Sequence, residues 1–123
     1  MTIKITAPIE PVTWSRPQFD SRSKKVYNKS KLVEFENTLG IFAKQAMKGQ
    51  APFSGDISIV CEFWKKRPKN PASVKYGDLD NLIKAVLDAL QGICFVNDSQ
   101  VIQIFYASKN YGEPEINIEL EAI

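Results

Sequence analysis

The chain has 123 residues, 44% hydrophobic and 24% charged, the balance of one folded domain spanning residues 1–123 rather than of a disordered segment. Its formal net charge is +2 and it contains no histidine, which excludes Ser-His and Cys-His nucleophile pairs, the usual zinc hydrolase centres and histidine-type nucleases. No apolar run approaches the roughly 20 residues of a membrane span, and neither common glycine-rich phosphate loop is present, so neither a membrane nor a nucleotide cofactor is expected.

In chain order, Ile3, Ile5, Ala7 and Ile9 alternate with polar residues and predict a half-buried strand ending near Pro8 and Pro11. Residues 12–30 mix basic and turn residues around Trp14, Phe19 and Tyr27, which reads as a long loop with room for a short hairpin. Leu32, Phe35, Leu39, Phe42 and Ala46 recur at steps of three and four, predicting a helix from Lys31 to Met47 capped by Ser30 or Asn28. Gly40 inside it costs about 1 kcal/mol relative to alanine, which calls for a packing reason. Ile57, Ile59, Cys61 and Phe63 predict a second strand, apolar on both faces and therefore central. A basic, proline-containing loop follows, then a helix from Leu79 to Gln91 stopped by Gly92. Val101–Ala107 and Glu115–Ala122 read as two strands joined as a hairpin. The order β-α-β-α-β-β predicts an α+β fold: one mixed four-stranded sheet with two helices packed on it. Cys61 and Cys94 sit in apolar surroundings and form no framework, which fits a reducing cytoplasm and leaves a single buried disulfide open. The first residues, MTIKITAP, lack the apolar core of a signal peptide.

The small net charge hides a split. Residues 1–77 hold 14 Lys and Arg against 6 Asp and Glu, whereas residues 78–123 hold 2 against 8. Arg16, Arg22, Lys24, Lys25, Lys29 and Lys31 face only Asp20 in their segment, and Lys65, Lys66, Arg67, Lys69 and Lys75 face no acid at all. Basic loops attract phosphates and carboxylates hold a divalent ion, so this separation suits a metal-dependent enzyme acting on a polyanion. Solvated, solubilising loops are the plainer account of either run alone.

The most informative stretch is Asp78-Leu79-Asp80-Asn81-Leu82-Ile83-Lys84, continuing to Asp88. At 100° per residue, Leu79, Leu82, Ile83, Val86, Leu87 and Leu90 cover one arc of about 140°, and Asp80, Lys84 and Asp88 lie opposite. Two carboxylates one residue apart at a helix start can converge on one cation. Capping by Asp78 and i,i+4 pairing of Lys84 with Asp80 and Asp88 account for the same residues without any ligand. Asp98, in a turn before the third strand, would add a third carboxylate if that strand begins beside the helix start.

The pattern D-L-D-N-L-x-K-x-x-x-D-A-L, followed by N-D-S-Q-V, resembles the RusA family of Holliday junction resolvases of bacteria, prophages and phages. The match is close over residues 78–101 and extends loosely to Ser15-Arg16-Pro17 and the basic loop. Where the best-known members carry arginines or Lys-Pro before the first acid, this chain has Lys75-Tyr76-Gly77. The resemblance implies metal-binding carboxylates at Asp78, Asp80 and Asp98, a catalytic lysine at Lys84, and supporting roles for Asn81 and Asp88. It implies a homodimer that nicks four-way junction DNA in pairs with Mg²⁺, for which Mn²⁺ can substitute. That activity serves recombination and repair in the cytoplasm of a bacterial or phage-infected cell. A nuclease for other branched or flap DNA, and a DNA-structure-binding protein without catalysis, are the alternatives. Arg16, Lys24, Lys25, Lys65, Lys66, Arg67, Lys69 and Lys75 are the candidate DNA contacts, with Trp14, Phe19 and Tyr27 available to stack on bases.

Overall fold

A computed structural model describes residues 1–16, 18–20, 25–27, 30–70 and 76–123, with 18–20 and 25–27 as backbone only. The elements are β1 (Thr2–Ala7), β2 (Gln18–Asp20), β3 (Lys25–Tyr27), α1 (Ser30–Met47), β4 (Ile57–Lys65), α2 (Leu79–Leu90), β5 (Val101–Tyr111) and β6 (Glu115–Ala122). A 3₁₀ turn, Asp98–Gln100, leads into β5. The fold is α+β, with a mixed four-stranded sheet in the order β1-β6-β4-β5 and both helices on one face. The small β2–β3 pair is the hairpin for which the first basic loop left room.

Alternation decides the layering. Ile3, Ile5 and Ala7, then Ile57, Ile59, Cys61 and Phe63, then Ile116, Ile118 and Leu120 all point to the helices and are buried. Leu32, Phe35, Leu39, Ala43 and Met47 of α1 meet them together with Leu82, Ile83, Val86 and Leu90 of α2. Gly40 is buried where α1 crosses α2: a Cβ there would lie 3.3 Å from Ile93 Cδ1, which is the packing reason the helix needs. The other face of the sheet carries Lys4, Glu62, Glu115, Glu119 and Glu121 and is mostly acidic.

One predicted pairing is wrong. β5 and β6 are not a hairpin, because β4 lies between them, parallel to β5 and antiparallel to β6. The strand apolar on both faces takes the centre and needs a neighbour on each edge. The short connection therefore passes over the end of β4. Gly112 donates its N–H to the Lys65 carbonyl at 3.0 Å, and a Cβ on Gly112 would lie 3.0 Å from the Trp64 ring. β5 also runs to Tyr111, through residues that read as a turn, and α2 ends at Leu90. Cys61 and Cys94 are both buried free thiols, so no disulfide forms.

Candidate active site

The start of α2 is fixed from three sides. Gly77 has φ +98°, and the methyl of Thr13 occupies the place a Cβ would take, so only glycine fits. The Gly77 carbonyl accepts a hydrogen bond from Lys109 Nζ at 2.9 Å. On the first loop, Trp14 donates its backbone N–H to the Asn81 carbonyl at 2.9 Å. Asp78 is the N-cap residue by backbone, and its carbonyl receives the Leu82 N–H at 3.1 Å, but its carboxylate makes no capping hydrogen bond. Asp80 is exposed and spends one oxygen on the Asn81 N–H at 2.9 Å. The capping account therefore fails at Asp78, an exposed residue whose carboxylate has no hydrogen-bond or ion-pair partner among the described residues.

Lys84 stands one turn beyond Asp80. Its Nζ lies 4.9 Å from the Trp14 ring centroid and 4.0 Å from Asp88 Oδ1, and it makes no ion pair with Asp80. Asp88 also faces α1: Glu36 is pushed up in pKa, first by burial and then by the charge of Asp88. Asn81 contributes its carbonyl to Trp14 and so ties the first loop to the start of α2.

Asp98 is placed elsewhere. Asn97 Oδ1 accepts the Ser99 N–H at 2.9 Å, and Gln100 Oε1 accepts the Val96 and Asn97 N–H groups at 2.8 and 2.9 Å. Gln100 Nε2 reaches the carbonyls of Phe53 and Gly55, and Asp98 donates its N–H to Gln91 Oε1 at 3.0 Å. These bonds explain the N-D-S-Q run: its amides build the turn and leave the Asp98 carboxylate out of it. The turn is tied to the C-terminal end of α2, and 12 helical residues set its two ends about 18 Å apart. Within one chain, Asp78, Asp80 and Lys84 lie at the cap and in the first two turns of α2, with Lys84 turned to Trp14 and Asp88, and Asp98 does not join them. Among the described residues, no three acids or cysteines are grouped to hold a metal ion.

The model of the family described as "Endodeoxyribonuclease RusA" matches residues 8–121. The chain belongs to the RusA family. A curated relative, "Uncharacterized protein YqaN" of Bacillus subtilis (strain 168), is 25% identical over 138 aligned positions, covering 98% of this chain and 96% of that protein. RusA membership indicates an endodeoxyribonuclease, and both matches extend well past the acidic motif to nearly the whole chain.

In this RusA-family chain the candidate DNA contacts sort unevenly. Arg16, Lys66, Arg67 and Lys69 are exposed. Lys66 makes only a loose, solvent-exposed pair with Glu113 at 3.9 Å. Lys65 belongs to β4 and is half-buried, 3.4 Å from Glu10, so it is engaged within the protein. Lys24 and Lys75 lie outside the described residues, as do the side chains of Lys25, Phe19 and Tyr27. Two neighbours of the helix start, Lys109 and Tyr111, were not among the candidate residues, and Tyr76 entered only within Lys75-Tyr76-Gly77. Continuing the alternation of β5 beyond Ala107 would have set Lys109 and Tyr111 on the strand face that carries Ala107.

Proposed function

We propose that this RusA-family chain is a homodimeric, Mg²⁺-dependent endonuclease that resolves four-way (Holliday) junctions by paired nicks in DNA recombination and repair. The observation that carries this reading is the start of α2, where Asp78 and Asp80 are separated by one residue, the first making no capping bond to its own helix, with Lys84 one turn further along. Hard carboxylate oxygens suit Mg²⁺, which keeps several waters and needs few protein ligands. When bound, the ion supplies a polarised phosphate and an activated water. Asp78 and Asp80 hold it, Lys84 sets a positive charge beside the phosphate, and the helix start favours that phosphate electrostatically.

Pairing two chains supplies the missing carboxylate. β5 is one of the two edge strands of the sheet, β1 being the other, and Ile102, Ile104, Phe105 and Tyr106 on β5 are each at least half exposed. An exposed apolar edge strand is a surface that natural proteins cover. One end of β5 adjoins Asp98, and the other reaches Gly77 through Lys109. Two β5 edges packed antiparallel about a two-fold axis bring the partner subunit's Asp98 to Asp78 and Asp80, forming two sites per dimer.

A labelled four-way junction, a flap and a plain duplex, each with Mg²⁺ or EDTA, test the reading. Paired nicking of the junction alone, in Mg²⁺ only, is expected. Asp78→Asn, Asp80→Asn and Asp98→Asn should abolish nicking yet bind the junction in EDTA as well or better, since each removes a negative charge near phosphates. Asp88→Asn should lose much less. Preferred cutting of the flap, or junction binding with no cutting in any metal, would replace resolution with the corresponding alternative.

A further inference from the structure

At the end of the sheet beside the helix start, β4 and β5 run together with Phe63 opposite Lys109 and Lys65 opposite Tyr111. Tyr76, immediately before Gly77, sets its ring edge-on to Tyr111 with centroids 5.6 Å apart. Three cations gather on these two rings: Lys109 Nζ lies 5.6 Å and Lys65 Nζ 5.8 Å from the Tyr76 centroid, and Arg67 Cζ lies 4.2 Å from that of Tyr111. Lys65 is answered by Glu10. Among the described residues, neither Lys109 nor Arg67 has a carboxylate within 4.0 Å. Lys109 gives one N–H to the Gly77 carbonyl and keeps two more for another acceptor.

Cations brought together on aromatic faces without counter-charge attract an anion, and a guanidinium offers a planar fork to phosphate oxygens. We propose that Lys109 and Arg67, mounted on Tyr76 and Tyr111, form a phosphodiester-binding arm that grips the DNA backbone next to the phosphate lying over Asp78 and Asp80. This rests on the nuclease reading and deepens it by adding Lys109 and the tyrosine pair to the substrate surface. The arm also locates positive charge near the first acid, on β5 and just past the end of β4.

Gel shifts in EDTA across a range of KCl, on a four-way junction and on plain duplex, separate this from a structural role. Glutamine is shorter than lysine but donates a hydrogen bond, so Lys109→Gln retains a partner for Gly77 while losing the charge. Lys109→Gln should weaken binding about tenfold at low salt and reduce the log–log salt slope by about 0.9 for the lost contact, with Lys109→Arg restoring both. Arg67→Gln should act likewise, and thermal melting of each variant checks the fold. Unchanged affinity and slope in Lys109→Gln would overturn the arm. Equal wild-type affinity for junction and duplex would instead overturn junction selectivity while the Lys109 comparison still stands on duplex. Absence of DNA binding by the wild type overturns both.

Discussion

Asp78 shows what a residue reveals of itself in sequence and what it does not. An acid at a helix start reads the same whether its oxygens turn inward to cap or outward to a ligand; here the carboxylate makes no capping bond and the backbone alone begins the helix. The grouping of Asp80 with Lys84 was legible because 3.6-residue periodicity fixes it. The contact of Lys84 with Trp14 was not, since it joins segments 70 residues apart. The cysteines give a test at this scale. Burial pushes the Cys61 thiol up to about 12 and Cys94 up to about 11, from an ordinary value of 9.0. A folded state that favours the neutral thiol binds more protons than the unfolded chain above pH 9, so stability is fully present below that pH and falls as pH rises toward 11 and 12. Melting temperature followed from pH 7 to 11 should decline above pH 9, and Cys94→Ala should reduce the decline.

Helices and the central strand were legible because each carries its own period. α1, α2, β1 and β4 fall within a residue or two of their expected bounds, apart from an N-terminal strand ending slightly earlier at Ala7. The neighbour of β5 was not legible. Two strands joined by a short turn read as a hairpin, and only the long-range demand of β4 for two edges overrides that local signal. β5 is also irregular, with register shifts opposite Ile57/Ser58 and Ile59/Val60 that leave Ile102 and Phe105 as extra residues in the ladder. Phe105 is 73% exposed, more than any other large apolar side chain described. Replacing Phe105 and Ile104 with lysine removes apolar area from the β5 edge and sets like charges across the proposed two-fold axis. Light scattering at micromolar concentration should then give one chain mass where the wild type gives two, and nicking should fall with dimer content. A double variant that stays dimeric would place the interface elsewhere.

At the scale of the whole molecule, charge and topology agree on how DNA approaches. The sheet face opposite the helices carries four glutamates against Lys4, which leaves the end of the sheet around Gly77 and the basic segments as the approach for a polyanion. Division of the carboxylates between the two ends of α2 makes a sharper prediction. In a dimer mixed from Asp80→Asn and Asp98→Asn chains, one site carries both substitutions and the other carries neither. Mixing two inactive proteins should therefore restore nicking of one strand, detected on a junction labelled on each strand in turn. If each chain instead built its own three-carboxylate site, every mixture would remain inactive.

The pairing of β1 with β6 has a consequence for the timing of synthesis. Thr2 sits opposite Glu121, and Ala7 opposite Ile116, so β1 must wait for a strand translated much later, its one sheet neighbour among the described residues. β6 is also the strand that joins β1 to β4. Until it emerges, the apolar faces of β1 and α1 have no completed sheet to close on, and folding of the core must wait for translation of Glu115–Ala122. A DNA-cutting activity built this way stays silent in the nascent chain until Glu115–Ala122 have emerged to close the sheet.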